Sequence, residues 1–116
     1  MPPERAVLEN ESGENMVDQI PTRETSVPVD FGGEAFLEAI NNNNVEYLFI
    51  NSGTDTFPIQ EAMAKFQSEG KRIPKVILCP DESTAVAAAH GYFNATRKPQ
   101  VVLVHVDAGT LQLSGG

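Results

Sequence analysis

The sequence predicts an α/β fold in which a parallel sheet carries helices on its sides. Three short runs, at 45–50, 75–79 and 101–106, consist mainly of the aliphatic, β-branched and aromatic residues that favour strands. A helical pattern precedes each run, so the predicted order is helix, strand, helix, strand, helix, strand. Right-handed crossovers in such a chain bring the carboxyl ends of all three strands to one edge of the sheet.

The first helical pattern opens after Gly33. Its apolar residues Phe36, Leu37 and Ile40 recur at helical spacing and share one face. The four asparagines at 41–44 are expected to end the helix, because asparagine tolerates the left-handed conformation of a helix stop. The first strand follows directly.

Residues 51–56 form the loop between the first strand and the second helix. Asp55 and Thr56 are both candidates to cap this helix, and Gly70 lies just past its expected end. Gly53 lies within the loop, where a glycine allows the backbone to approach a ligand. By residue type alone, Gly53 is more simply explained as a turn glycine.

The second strand, at 75–79, is apolar without alternation and is expected to be buried; it ends at Pro80. The third helix then runs from about Glu82 to Thr96. Glu82 lies in its first turn, where free N–H groups favour a carboxylate, so it is either a helix cap or a catalytic group. By residue chemistry alone the cap is the commoner case. Gly91 costs a helix interior about 1 kcal/mol relative to alanine, which predicts a tight contact with a strand.

The third strand, at 101–106, is also continuously apolar and is predicted to be buried, with a loop at 107–110 after it. The loops at 51–56, 80–82 and 107–110 therefore meet at the edge where open α/β sheets bind ligands. The sequence lacks the glycine-rich motifs of dinucleotide and nucleotide binding and the serine-hydrolase elbow. The potential metal ligands Cys79, His90, His105 and Asp107 match no zinc spacing, so no metal site is expected.

Composition narrows the class of protein. The chain has 116 residues, enough for one domain, and its net charge of -8 makes nucleic acid an unexpected partner. Residues 1–30 hold seven of the acids, no aromatic residue and no periodicity, so they are predicted to be a disordered acidic leader to a domain at 31–116. Cys79 is the only cysteine, and neither a secretory signal nor a membrane span is recognisable. A cytoplasmic protein without a membrane partner is expected.

A resemblance to a known family adds a function. From Glu82 onward the chain resembles the N-terminal pyrimidine-binding domain of thiamine diphosphate-dependent enzymes, especially the acetolactate synthase-like group. The residues that carry the resemblance are Glu82, Ala85, Ala88, Ala89, Gly91, Tyr92, Ala95, Thr96, Lys98, Pro99 and Val101. It covers roughly residues 33–116, is densest at 82–104, and implies the first three strands of the thiamine diphosphate-binding fold, truncated.

The resemblance also implies site residues, a cofactor and partners. Glu82 would be the catalytic acid-base group that contacts the aminopyrimidine of thiamine diphosphate, with Gly53 and Gly109 as further cofactor-binding residues. A complementary diphosphate-binding domain or subunit would hold Mg²⁺, and the complete protein would be a homo-oligomer that acts on 2-keto acids or aldehydes. Since no such domain is recognisable in the sequence, the chain alone is expected to be inactive.

Two departures from the family pattern leave the substrate open. Asp107, Ala108 and Gly109 stand where much of the family has Gly-Pro-Gly, and residues 51–55 replace a Pro-Gly of the first loop. An alternative from another class stays open beside the enzyme. In that alternative the chain is a non-catalytic interaction module that retains the half-domain.

Overall fold

The structure, a computed structural model, describes residues 26–115 and confirms the predicted α/β fold. Strands β1 (Tyr47–Ile50), β2 (Lys75–Leu78) and β3 (Val101–Leu103) form a parallel sheet in the order β2-β1-β3. In the register of this sheet, Phe49 of β1 lies between Ile77 and Val102. The predicted leader lies outside the described residues up to residue 25, and the domain boundary at residue 30 stays a prediction.

Four α-helices accompany the sheet. They are α1 (Gly32–Asn42), α2 (Phe57–Ser68), α3 (Glu82–Thr96) and α4 (Val106–Gln112), and short 3₁₀ turns occupy Thr54–Thr56 and Leu113–Gly115. Left-handed residues follow the first three helices: Asn44, Gly70 and Arg97 have φ angles of 56°, 71° and 59°. The asparagine run and Gly70 therefore end their helices as the sequence predicts. Within residues 26–115, no helix is long and apolar enough to cross a membrane.

The helices pack on both faces of the sheet. The crossover through α2 leads from β1 to β2, and the crossover through α3 leads in the opposite direction, from β2 past β1 to β3. Right-handed crossovers that run in opposite directions place their helices on opposite faces of the sheet. One core lies among α1, α2 and the sheet, and its buried residues are Leu37, Ile40, Val45, Ala62 and Phe66. The other core lies under α3, where Ala85 and Ala89 pack against Phe49 and Cys79. The small side chains of α3 thus allow its backbone to lie close to the sheet.

The second strand is not buried as predicted. Val76 is 41% exposed and Leu78 is 75% exposed, because β2 is an edge strand and no helix within residues 26–115 covers its side chains on the face of α1 and α2. The third strand is only half-buried and occupies the other edge. Apolar continuity predicts burial only for a strand covered on both faces, and among the described residues no element covers β2 in this way.

The predicted end of the third strand is also wrong. β3 stops at Leu103, and Val106 already begins α4, so Gly109 lies buried inside a helix and not in a loop. Sheet pairing accounts for the difference. Leu103 pairs with Ile50, the last residue of β1, and beyond that pair the neighbouring strand offers no further partner. The apolar residues of the sequence continue to Val106, but strand pairing ends at Leu103.

Among the described residues, Gly91 makes no tight contact with a strand. A Cβ atom at Gly91 would meet no heavy atom within 4 Å among residues 26–115, apart from the local helix backbone. The buried residue Ala89 faces the sheet, and two further residues turn a helix through about 200°, which points Gly91 outward. The predicted contact is therefore wrong within the described part of the chain.

Candidate functional site

The loops after the three strands meet at the carboxyl edge of the sheet. The backbone N–H of Asn51 donates to the carbonyl oxygen of Leu103 at 3.0 Å, and the Asn51 side-chain amide donates to the carbonyl oxygen of Cys79 at 3.0 Å. The residue after β1 is therefore held to the ends of both neighbouring strands. The predicted convergence of the three strand ends is confirmed, although residues 107–110 lie in α4 and not in a loop.

Asp81 caps helix α3. Its Oδ1 accepts a hydrogen bond from the backbone N–H of Thr84 at 2.7 Å, and its Oδ2 accepts one from the Thr84 hydroxyl at 2.9 Å. The backbone N–H of Thr84, followed by its hydroxyl, lowers the pKa of Asp81. The cap that the sequence left open for Glu82 thus belongs to the preceding residue.

Glu82 is the first residue of α3 and is half-buried. Among residues 26–115, no group donates a hydrogen bond to its carboxylate. A carboxylate at this position also faces the first free N–H groups of the helix, which favour negative charge. Glu82 is therefore an acceptor that the described structure does not use.

Gly109 lies against the Glu82 carboxylate. A Cβ atom at position 109 would stand 3.1 Å from Glu82 Oε1 and 3.3 Å from the Cβ of Val104. The missing side chain leaves the room in which the carboxylate lies. A hydrogen bond of 2.9 Å from the Ser83 hydroxyl to the carbonyl oxygen of Gln112 fastens the first turn of α3 to the end of α4. The sequence-predicted residues Glu82 and Gly109 are thus neighbours.

Gly53 lies in a second cluster at the same edge, together with His105 and Asp55. The imidazole ring of His105 fills the space that a Cβ atom at Gly53 would need. His105 Nδ1 contacts Asp55 Oδ1, while Asp55 Oδ2 accepts a hydrogen bond of 3.1 Å from the backbone N–H of Val106. The His105 side chain, followed by the Val106 N–H, lowers the pKa of Asp55. Gly53 is thus in contact with a histidine ring.

Sequence reasoning missed this pairing. The sequence offers Asp55 as a candidate helix cap and His105 only as one of several potential metal ligands, and nothing in it joins two residues 50 positions apart. The available signal was position, because both residues follow strands whose carboxyl ends share one edge. Asp55 does not cap α2; its carboxylate binds the residues that begin α4.

Within the described part of the chain, potential metal ligands are not grouped at this edge. Across residues 26–115, the structure contains no cluster of three or more His, Cys, Asp and Glu side chains that could hold a metal ion. Cys79 is a buried free thiol in the core under α3, and His90 lies exposed on the outer side of that helix.

A comparison with protein families gives one match. The model of the thiamine pyrophosphate enzyme, N-terminal TPP binding domain, matches residues 31–116. No curated protein and no solved structure matches the chain. The match covers well over half of the sequence and includes every residue of the edge described above. The chain therefore belongs to the thiamine pyrophosphate enzyme family and carries its N-terminal TPP binding domain.

Proposed function

We propose that this chain binds the aminopyrimidine ring of thiamine diphosphate through Glu82. In this proposal it forms the pyrimidine side of an acetolactate synthase-like lyase or carboligase that acts on 2-keto acids or aldehydes. The observation that carries the proposal is that the two neighbouring acids at the start of α3 have different roles. Asp81 caps the helix through Thr84, which leaves the half-buried Glu82 carboxylate without a donor where the strand loops converge.

The residues present fit such a ligand. Thiamine diphosphate, when bound, supplies a thiazolium carbon that adds to the carbonyl carbon of the substrate. Glu82 holds a proton between its carboxyl oxygen and a pyrimidine ring nitrogen, which is a general acid-base role. Gly109 supports this role, because a side chain there would press on Oε1 of Glu82. Gly53 supports the shape of the first loop, because the lack of a side chain lets its backbone pack closely against the His105 ring.

The proposal requires a partner. A complementary diphosphate-binding domain or subunit would hold the diphosphate and Mg²⁺, and a homo-oligomer would bring the two halves together. The exposed side chain of Leu78 on edge strand β2 supports further packing against such a partner. The single cysteine, Cys79, is buried and free, which suits the cytoplasm.

The alternative function is a non-catalytic interaction module that retains the half-domain. It is favoured by exposed apolar side chains, since Phe31 is 72% exposed and Phe57 is 61% exposed. In this alternative Glu82 contributes only its favourable position at a helix N-terminus. Its replacement would then change stability by about 0.3–1 kcal/mol and leave binding of a partner intact.

Hydrogen-deuterium exchange at the thiazolium C2 atom distinguishes the two functions without knowledge of the substrate. With a complementary diphosphate-binding domain supplied, we expect Glu82→Gln to slow this exchange by about 10²–10⁴-fold while the fold is retained. Asp81→Asn is the matched control, because it removes the neighbouring charge and weakens the helix cap but leaves the Glu82 carboxylate in place. The control should melt at a lower temperature and still exchange rapidly.

A rate in Glu82→Gln equal to that of the wild type would end the catalytic role of Glu82. The isolated chain should accelerate the exchange in neither form, because the pyrimidine contact alone is too small to hold the cofactor without its diphosphate anchor.

A further inference from the structure

We propose that a cavity between α1 and α2 binds a small organic cation, that is, an ammonium group on an apolar body. The cavity has a volume of about 540 Å³, which is within the range of roughly 300–1,000 Å³ found for small-molecule sites. It lies on the face of the sheet opposite α3, and neither Glu82 nor His105 lines it. The site is therefore additional to the proposed cofactor site and does not depend on it.

The walls of the cavity are largely apolar. They consist of Phe31, Gly32, Gly33, Pro58 and Ala62. The backbone of Phe31 is fixed, because its carbonyl oxygen accepts hydrogen bonds of 3.0 and 3.2 Å from the N–H groups of Glu34 and Ala35. Phe31 is nevertheless 72% exposed, so its ring is available at the rim. An apolar body that enters the cavity leaves water, and an ammonium group beside the ring gains cation–π attraction.

Three carboxylates and one ammonium group lie at the cavity or next to it. Glu34 is 3% exposed, and its Oε1 accepts a hydrogen bond of 2.7 Å from Lys65 Nζ. The same ammonium group lies 3.0 Å from Asp30 Oδ2. Glu61 also lines the cavity, and among residues 26–115 it forms no ion pair. The negative charges of this group therefore exceed the positive ones, and Glu61 is the carboxylate that lacks a counter-charge.

These charges favour a cation over an anion. The hydrogen bond to Glu34, followed by the one to Asp30, raises the pKa of Lys65, so its ammonium group stays charged and paired. The free N–H groups at the start of α1 also favour negative charge, but the Glu34 carboxylate already lies in this turn. An anion would be repelled by Glu61 and would compete with two carboxylates for Lys65. A cation is attracted by Glu61 without displacing any existing pair.

The contact between the two helices holds the cavity in shape. A Cβ atom at Gly33 would stand 2.5 Å from the carbonyl oxygen of Pro58, so the start of α1 lies directly against α2. The ion pair of Glu34 and Lys65 joins the same two helices. At Gly32, by contrast, a Cβ atom would meet no heavy atom of the described residues within 4 Å, so there is open space beside this glycine. The binding groups are thus positioned before a ligand enters, which lowers the entropic cost of binding.

Titration of the ¹⁵N-labelled chain with pentylamine tests the proposal, with the amide chemical shifts as the readout. 1-Pentanol has the same apolar body without the charge, and pentanoate carries the opposite charge. We expect pentylamine to shift the amide signals of Gly32, Gly33 and Ala62, 1-pentanol to do so only at higher concentration, and pentanoate not to do so. Added salt should weaken the binding of pentylamine, because exposed charges are screened. Equal binding of pentylamine and 1-pentanol, or no shift of these amides, would overturn the proposal.

Two variants of Glu61 separate the carboxylate from the cavity itself. Glu61→Gln should raise the Kd of pentylamine by about 1.4–5-fold, the range expected for an exposed ion pair, and leave that of 1-pentanol unchanged. Glu61→Lys, at the same exposed position, should weaken pentylamine binding further and allow pentanoate to bind. Glu38→Gln is the matched control, because it removes the same charge from α1 outside the cavity. An unchanged affinity for pentylamine in Glu61→Lys, or an equal loss in the control, would overturn the role of Glu61.

A further titration distinguishes a free amine from a basic side chain of a protein. Nα-acetyl-lysine methylamide carries the same alkylammonium group on a peptide backbone. We expect pentylamine to bind more tightly, because the backbone groups add bulk and polarity to a ligand that must enter between two helices. Tighter binding of the lysine derivative would overturn the assignment to a small organic cation. None of these titrations involves thiamine diphosphate or Glu82, so their failure is distinguishable from a failure of the proposed function.

Discussion

Replacing Gly91 with alanine is expected to stabilise this chain. Gly91 lies in the interior of α3 on its outer side, and among residues 26–115 no atom lies within 4 Å of an added Cβ except the local helix backbone. A glycine in a helix interior is less favourable than alanine by about 0.8–1.0 kcal/mol. Since the added methyl group meets no obstacle, the gain in helix propensity should appear almost unopposed.

The size of the effect is within the range of an ordinary melting experiment. A change of about 1 kcal/mol shifts the melting temperature of a 60–100-residue domain by roughly 4–8 °C. Circular dichroism should therefore show Gly91→Ala melting several degrees above the wild type. In urea the midpoint should rise while the m value stays constant, because the surface exposed on unfolding hardly changes.

Gly33→Ala provides the matched control in another helix. Its Cβ would stand 3.1 Å from the carbonyl carbon of Pro58 and 3.3 Å from the Cβ of Ala62, so α1 and α2 would have to separate. This variant should melt below the wild type, although alanine favours a helix over glycine here as well. A lower melting temperature for Gly91→Ala would refute the reasoning, since it would show that another group packs against this glycine in solution.

Two further predictions concern the ends of the sheet. The pKa of Glu46 lies below its ordinary value of 4.5, chiefly because Lys98 donates a hydrogen bond of 2.6 Å to its carboxylate. Ionised Glu46 therefore stabilises the fold above that pH, and this contribution is lost on acidification. Thermal melts should show that Glu46→Gln melts below the wild type at pH 7 and that this difference in melting temperature is smaller at pH 3. Glu61→Gln, at an exposed position, is the control. A difference of the same size at both pH values, or one no larger than that of the control, would contradict the prediction. Gly109→Ala should displace the Glu82 carboxylate by a few tenths of an ångström and slow C2 exchange with the diphosphate-binding domain supplied; unchanged exchange would contradict that contact.

Local signals in the sequence located most helices and strands. The third helix is the clearest case: the proline after β2 and the alanines that follow predict a start at Glu82 and an end near Thr96, and α3 occupies this range. The end of the third strand could not be predicted in this way. Whether Val104 continues a strand depends on whether β1 extends beside it, and no property of residues 101–106 carries that information.

Burial failed as a prediction for a related reason. The sequence of β2 is apolar enough for the middle of a sheet, but its place at the edge follows from the order β2-β1-β3. Strand order depends on contacts between segments far apart in the chain, which the local pattern does not contain. The exposed Leu78 is the direct result. The prediction for Gly91 failed because helix phase, and not glycine itself, decides which side meets the sheet.

The candidate site also contains some residues that local sequence signals could locate and others that they could not. Glu82 could be found because its setting is local: a strand ends, a proline follows and a helix begins. The cap formed by Asp81 was equally local but was not recognised, although an acid three residues before a threonine N–H fits the capping geometry. The pair of Asp55 and His105 could not be assigned, because both the sheet order and the fold of α4 are needed to bring it together.

The sheet order also explains why these groups lie at the same edge of the sheet. β1 leads into α2 on one face, whereas α3 and α4, which follow β2 and β3, pack together on the other. The loop after the central strand therefore turns away from the loops on both sides of it, and in open α/β sheets such a divergence is the place where ligands bind. Asp55 crosses this divergence when it binds His105, so the first loop remains joined to α4. Glu82 therefore reaches this edge from one edge strand and His105 from the other, and Gly109 links the two, because it lies against the Glu82 carboxylate and its N–H donates to the carbonyl oxygen of His105.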